Sequence, residues 1–170
     1  EVLLASGPTE QITPSGVGVV WVKTVNELDN LLTTEAPDYD LILMVGSASD
    51  WGPMAGSDLT EEEKTKKLDL GIPETPDLTG KLGKLKSEDQ LLVEFATETG
   101  DERPSTDRLT EHNIDAVFCY PNTAIPQSTN SESVSGSLLF NSDKEIRLQA
   151  QDESMLSRAV LKEIGEEYFN

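Results

Sequence analysis

Apolar residues fall in short runs, separated by polar segments rich in glycine, proline and serine. The run Gly18-Val19-Val20-Trp21-Val22 is dominated by β-branched residues and predicts a buried strand. Thr24-x-x-Glu27 follows as a capping box. It opens a helix to about Thr33, with Val25, Leu28, Leu31 and Leu32 on one stripe. Ala36-Pro37 ends that helix, and Asp40–Val45 forms a second buried run. Strand, helix and strand over about 30 residues predict a βαβ unit with parallel strands.

The small-residue segment Gly46–Ser57 reads as a long loop, and Asp58-Leu59-Thr60-Glu61 caps a second helix reaching about Leu70. Residues 71–86 hold prolines and glycines and read as mostly irregular. Leu91–Thr97 suits either a helix or a strand, and residues 98–107 read as a charged loop. Ile114–Tyr120 predicts a third strand. Ser133–Phe140 and Lys144–Gln151, parted by Asn141-Ser142-Asp143, predict a hairpin. A final helix spans about Glu153–Phe169, with Leu156, Val160 and Ile164 stacked at four-residue spacing.

These elements sum to an α/β (or α+β) fold. It has a mixed sheet of about five strands, a parallel βαβ unit, a C-terminal antiparallel hairpin and three to four helices. Residues 1–16 are polar and turn-rich. They read as an extended N-terminal arm with a short strand at Val2–Ala5, leading into a single α/β domain over 17–170.

Charge changes the picture. Thirty-two acidic side chains stand against 13 basic ones, a net charge of −19 spread evenly along the chain. Such a surface repels itself and is relieved by salt, which points to a saline setting. Direct nucleic-acid binding and anionic membranes are disfavoured, because both need aligned Lys and Arg. The basic cluster Lys64-Thr65-Lys66-Lys67 is better read as helix-face pairs, Glu63 with Lys67 and Glu62 with Lys66. No apolar run is long enough for a membrane-spanning helix. With one cysteine, Cys119, no internal disulfide forms.

Candidate chemistry is sparse. No phosphate-loop or dinucleotide glycine motif occurs. One histidine and one cysteine do not make a zinc site, and no calcium-loop pattern is present, so no metal or other cofactor is indicated. Cys119 and His112 are parted by an extended run, so a nucleophile–base pair is not supported and Cys119 reads as a buried hydrophobe. The loop after the second strand leaves the carboxyl end of a parallel strand, where ligands gather in open α/β sheets. Gly46, Ser47, Ser49 and Asp50 are therefore the candidate ligand-binding residues. Trp51 and Met54 are candidates for a subunit contact, with a lid as the alternative for Trp51.

Met44-Val45-Gly46-Ser47-Ala48-Ser49-Asp50-Trp51 resembles the Met-Gly-Ser-x-Ser-Asp-Trp stretch of the phosphoribosyl-aminoimidazole carboxylase mutase family, which helps bind a nucleotide phosphate. The likeness inserts Val45 and follows the second strand rather than the first. It also lacks that family's Ala-Ala-His-Leu-Pro-Gly motif, so it does not extend beyond the loop.

Two functional readings result. The leading one is a non-catalytic structural or assembly subunit, a virion component (capsid-associated, neck or tail) of a salt-adapted virus. Its partners would be copies of itself or neighbouring structural proteins. The alternative is a small α/β enzyme or binding protein that holds a phosphorylated metabolite at residues 46–58.

Overall fold

A computed structural model describes residues 1–46, 76–98, 106–121 and 134–169. Among these, the chain divides into two compact units. One is built on Glu1–Tyr39, the other on Asp40–Gly46 and residues from Thr79 onward.

In the first unit, β1 (Leu3–Ser6) pairs in parallel with β2 (Gly18–Trp21), in register from Leu3↔Gly18 to Ser6↔Trp21. The ladder is closed by Gly18 N–H donating to the Val2 carbonyl at 3.0 Å and Val22 N–H to the Ser6 carbonyl at 2.9 Å. Helix α1 (Val25–Glu35) starts as the capping box requires: the Thr24 hydroxyl accepts from Glu27 N–H at 3.2 Å. The Glu27 carboxylate in turn accepts from Lys23 N–H at 2.7 Å. A 3₁₀ turn over Ala36–Asp38 carries proline in its first turn, where a missing N–H costs nothing.

The second unit holds a five-stranded mixed sheet in the order β3 (Leu41–Val45), β4 (Leu91–Glu98), β5 (Ala116–Pro121), β6 (Val134–Phe140), β7 (Glu145–Ala150). The first three strands are parallel and the last two antiparallel. Three helices accompany it: α2 (Leu78–Leu85), α3 (Thr106–Glu111) and α4 (Glu153–Tyr168).

Strands β2 and β3 and helix α1 lie where the hydrophobic pattern puts them, but the pairing differs. β2 pairs with β1 rather than β3, because Leu3–Ser6 supplies an apolar parallel partner. β3 instead aligns with β4 from Leu41↔Leu91 to Val45↔Phe95. The ambiguous run at Leu91 is a strand for a clear reason. Leu92 and Val93, which point to opposite faces, are both fully buried, as in an interior parallel strand. Residues 78–85, expected to be irregular, form α2. The helix expected over residues 58–70 lies outside the described residues.

One face of the sheet carries α4. Its Leu156, Val160 and Ile164 pack on Val93, Ala116, Phe118, Val134, Leu138 and Phe140. On the other face, Glu94 of β4 is buried against α2 and α3. The Arg108 guanidinium grips its carboxylate with two bonds of 2.6 Å, and Thr79 adds a third at 3.4 Å.

A polar strut holds the amino end of β5. Asp115 is buried and pairs with Lys86 at 2.6 Å, while the same carboxylate oxygen accepts from Leu92 N–H at 2.8 Å. The Asn141 amide donates to its other oxygen at 3.3 Å. The Asp115 carbonyl accepts from the Tyr168 hydroxyl and from Asn141 N–H, each at 2.8 Å. This ties the end of α4 to the sheet.

Burial, reinforced by the negative charge of Asp115 and Glu167, pushes the Tyr168 phenol far above its ordinary value. The unfolded chain therefore ionises first, near pH 10. Stability from this group is complete below pH 10 and is lost as pH rises beyond it. Tyr168→Phe is expected to flatten the alkaline limb of the urea midpoint against pH above about pH 10, at the cost of a lower midpoint at neutral pH. An alkaline limb unchanged by the substitution would show that Tyr168 does not set it.

Candidate functional site

A cavity of the second unit opens towards the carboxyl end of its parallel strands, the end where open α/β sheets bind ligands. Alternation along β4 and β5 places Phe95, Phe118 and Tyr120 on one face, with Phe95 and Phe118 paired in mid-strand and Tyr120 next to the end of β5. Their rings form a ledge: Phe95 and Phe118 centroids lie 5.6 Å apart, and Phe118 and Tyr120 centroids 6.3 Å apart. Opposite stand the first two turns of α4, with Glu153, Leu156, Ser157 and Val160. Val45 of β3 and Val134 and Ser135 of β6 complete the lining. The cavity between them measures about 420 Å³.

Local sequence explains why this space stays open. Gly136 lies beneath the Phe118 ring. A β-carbon there would collide with the ring tip and come within 2.7 Å of the Cys119 carbonyl. Glycine leaves room for the ring tip over β6. At the N-terminus of α4 the Asp152 side chain accepts from Met155 N–H at 2.8 Å.

Of the residues singled out from sequence, Gly46 is described. It follows Val45 directly, at φ +96°, a conformation that favours glycine. Ser47, Ser49, Asp50, Trp51 and Met54 lie outside the described residues. Cys119 is buried in β5, on the face opposite the aromatic ledge, and His112 lies beyond α3 at the strand's other end. No group of metal-ligating side chains converges among the described residues. Sequence reasoning missed Phe95, Phe118 and Tyr120, which sit in runs that read as plain core. The available signal was their two-residue spacing towards the carboxyl ends of parallel strands, where a filled core is not required.

Comparison with known proteins decides the family. A model of the DNA/pantothenate metabolism flavoprotein C-terminal domain (DFP) matches residues 1–168. The chain belongs to the DFP family. A Vibrio parahaemolyticus protein, coenzyme A biosynthesis bifunctional protein CoaBC, is 24% identical over 169 residues, covering 98% of this chain and 42% of the relative. A cysteine/cysteine sulfinic acid decarboxylase from an unknown prokaryotic organism is 28% identical over 119 residues, covering 69% of this chain and 33% of that protein. The crystal structure of the C-terminal domain of a CoaBC protein superposes with a TM-score of 0.77 at 22% identity, covering 98% of this chain and 76% of that one. The DNA/pantothenate metabolism flavoprotein of Streptococcus pneumoniae gives 0.67 at 13% identity, covering 100% of this chain and 80% of that one. These structures share the α/β fold with its mixed sheet. The DFP chain spans about two fifths of the CoaBC relative's length.

The family overturns the reading as a virion structural subunit. That reading rested on negative charge and on the absence of linear motifs. Net charge describes a surface and its solvent rather than a fold or a reaction. The mutase-like stretch at 44–51 is a local likeness within a DFP chain. The family name includes the word flavoprotein. The described pocket lining carries one carboxylate, Glu153, and no cationic side chain to meet a flavin phosphate.

Proposed function

We propose that this DFP chain is an enzyme domain acting in coenzyme A biosynthesis. It would hold a phosphorylated metabolite at the carboxyl ends of its parallel strands. The observation that carries the reading is the family match over residues 1–168, together with CoaBC relatives aligned across 98% of the chain. The decarboxylase relative aligns over a shorter stretch and a third of its own length, and it weighs less. The position of the pocket supports the same reading, since open α/β sheets bind ligands where their parallel strands end. We assign the phosphate to the segment opening at Gly46, with Ser47, Ser49 and Asp50. It continues directly from β3, and small residues let backbone N–H groups approach an anion.

The test is thermal unfolding against nucleotides, sugar phosphates, pantothenate and phosphorylated pantothenate. A ligand bound only by the folded chain adds about 2.7 kcal/mol at a hundred times its Kd, so the midpoint should climb with the logarithm of concentration. A flat response to every member of that panel would overturn the reading.

A further inference from the structure

We propose that the outer edge of β3 takes one more strand, an uncharged extended segment from outside residues 1–170 that runs parallel to it. The inference goes beyond the activity proposed above and does not depend on it. Three observations carry it.

The first is backbone polarity. β3 stands at the end of its sheet, with β4 as its one strand partner among the described residues. The Leu91 N–H donates to the Asp40 carbonyl at 2.9 Å. Backbone groups point to alternate sides along a strand, so Asp40, Ile42 and Met44 turn theirs to β4. Leu41, Leu43 and Val45 turn their N–H and C=O groups outwards in a row. Such a row is a template for strand addition, in which main-chain hydrogen bonds supply the affinity.

The second is composition. Leu41-Ile42-Leu43-Met44-Val45 carries no polar side chain on either face. That is the pattern of an interior parallel strand rather than of an edge. Ile42 and Met44 are buried, whereas Leu43 and Val45, on the other face, are 39% and 72% exposed. The opposite edge of the same sheet is the contrast. There β7 alternates Ile146, Leu148 and Ala150, packed on the core, with Glu145, Arg147 and Gln149. Charged side chains guard that edge, and β3 has none of its own.

The third concerns the occupant. A second copy is disfavoured twice. Two chains of net charge −19 repel each other. A two-fold axis would also set two β3 strands antiparallel, whereas a run apolar on both faces belongs to parallel sheets. An uncharged segment of β-branched residues avoids the repulsion and fits a pleated apolar edge.

The probe is an acetylated and amidated Thr-Val-Thr-Ile-Thr-Val-Thr peptide, N-methylated on its apolar residues so that one edge alone can pair. At saturation it should shift the amide signals of Leu41, Leu43 and Val45 and slow their hydrogen exchange. Those of Arg147 and Gln149 on β7 should stay still. A nitroxide at the amino end of the peptide should broaden Leu41 more than Val45, as parallel pairing requires. The same peptide N-methylated throughout should not bind. Leu43→Pro removes an outward donor and spares the ladder to β4. It should weaken binding about fivefold, the worth of one hydrogen bond. Leu43→Ala keeps the donor and should lose less. The methylated control needs no altered protein, so the test holds even where the proline variant does not fold. The proposal is overturned if the three amides stay unmoved, if the β7 amides respond instead, or if the fully methylated peptide binds as well. It is also overturned if the label broadens Val45 more than Leu41, or if sedimentation shows a second copy already seated on β3. The peptide carries no phosphate, so failure here leaves the thermal-shift result standing, and the reverse also holds.

Discussion

Asp115→Ala is expected to destabilise the second unit by about 3–5 kcal/mol, the cost of stripping one partner from a buried ion pair. The side chains of Lys86 and Asp115 are only 8% and 11% exposed. Without the carboxylate, the ammonium of Lys86 is left in a dry site and the N–H of Leu92 loses its acceptor. Adding Lys86→Met removes the stranded charge while keeping most of the side-chain volume. The double variant should therefore recover more than half of the loss. The remainder reflects the Leu92 N–H, worth about 1–3 kcal/mol unsatisfied. Urea unfolding followed by circular dichroism measures both. A single variant within 1 kcal/mol of the parent, or a double variant no better than the single, would show that the strut is not electrostatic.

Gly83→Ala is expected to cost about 3 kcal/mol, at the upper end of overpacking effects, because the obstruction is backbone. A β-carbon at Gly83 would fall on the His112 carbonyl, and the Asn113 side chain already donates to the Gly83 carbonyl at 2.6 Å. Helix α2 and the turn after α3 thus touch main chain to main chain, and neither yields as a side-chain tip would. Gly165→Ala in α4 is the control. Nothing lies within 4 Å of the added methyl group, so the same change should stabilise by about 0.5–1 kcal/mol. If both substitutions stabilise, the close approach at Gly83 is refuted.

Gly83 also shows why part of the fold was hidden from the sequence. Glycine inside a helix is penalised by its freedom in the unfolded chain, so Gly80 and Gly83 argue locally against α2. Only a neighbour distant in sequence, the turn at His112 and Asn113, makes glycine necessary there. The same limit applies to strand partners. Periodicity places Gly18–Trp21 and Leu41–Val45 as strands, yet nothing local says that one pairs with Leu3–Ser6 and the other with Leu91–Phe95. Where the signal is local it serves well. Thr24 and Glu27 open α1, the stack of Leu156, Val160 and Ile164 defines α4, and alternation at Ile146 and Leu148 marks β7.

The site was legible only in outline. Gly46 could be placed at the carboxyl end of a strand from the order of elements alone. Phe95, Phe118 and Tyr120 could not be told from core, because hydrophobicity does not distinguish a wall facing a cavity from one facing another wall. The virion reading had a different origin. The net charge of −19 is a property summed over the whole chain, and it outweighed side chains whose meaning lies in their position.

Strand β5 keeps its anchorage and its aperture at opposite tips. From Asp115 to Tyr120 the chain advances five steps, roughly 17 Å at about 3.3 Å per residue. Free-energy changes at sites so far apart sum almost independently. Such a scaffold can vary what it grips at one tip while the other remains untouched. An engineer reshaping the aromatic ledge can thus offset losses by strengthening the far tip, without expecting the two sets of changes to interfere.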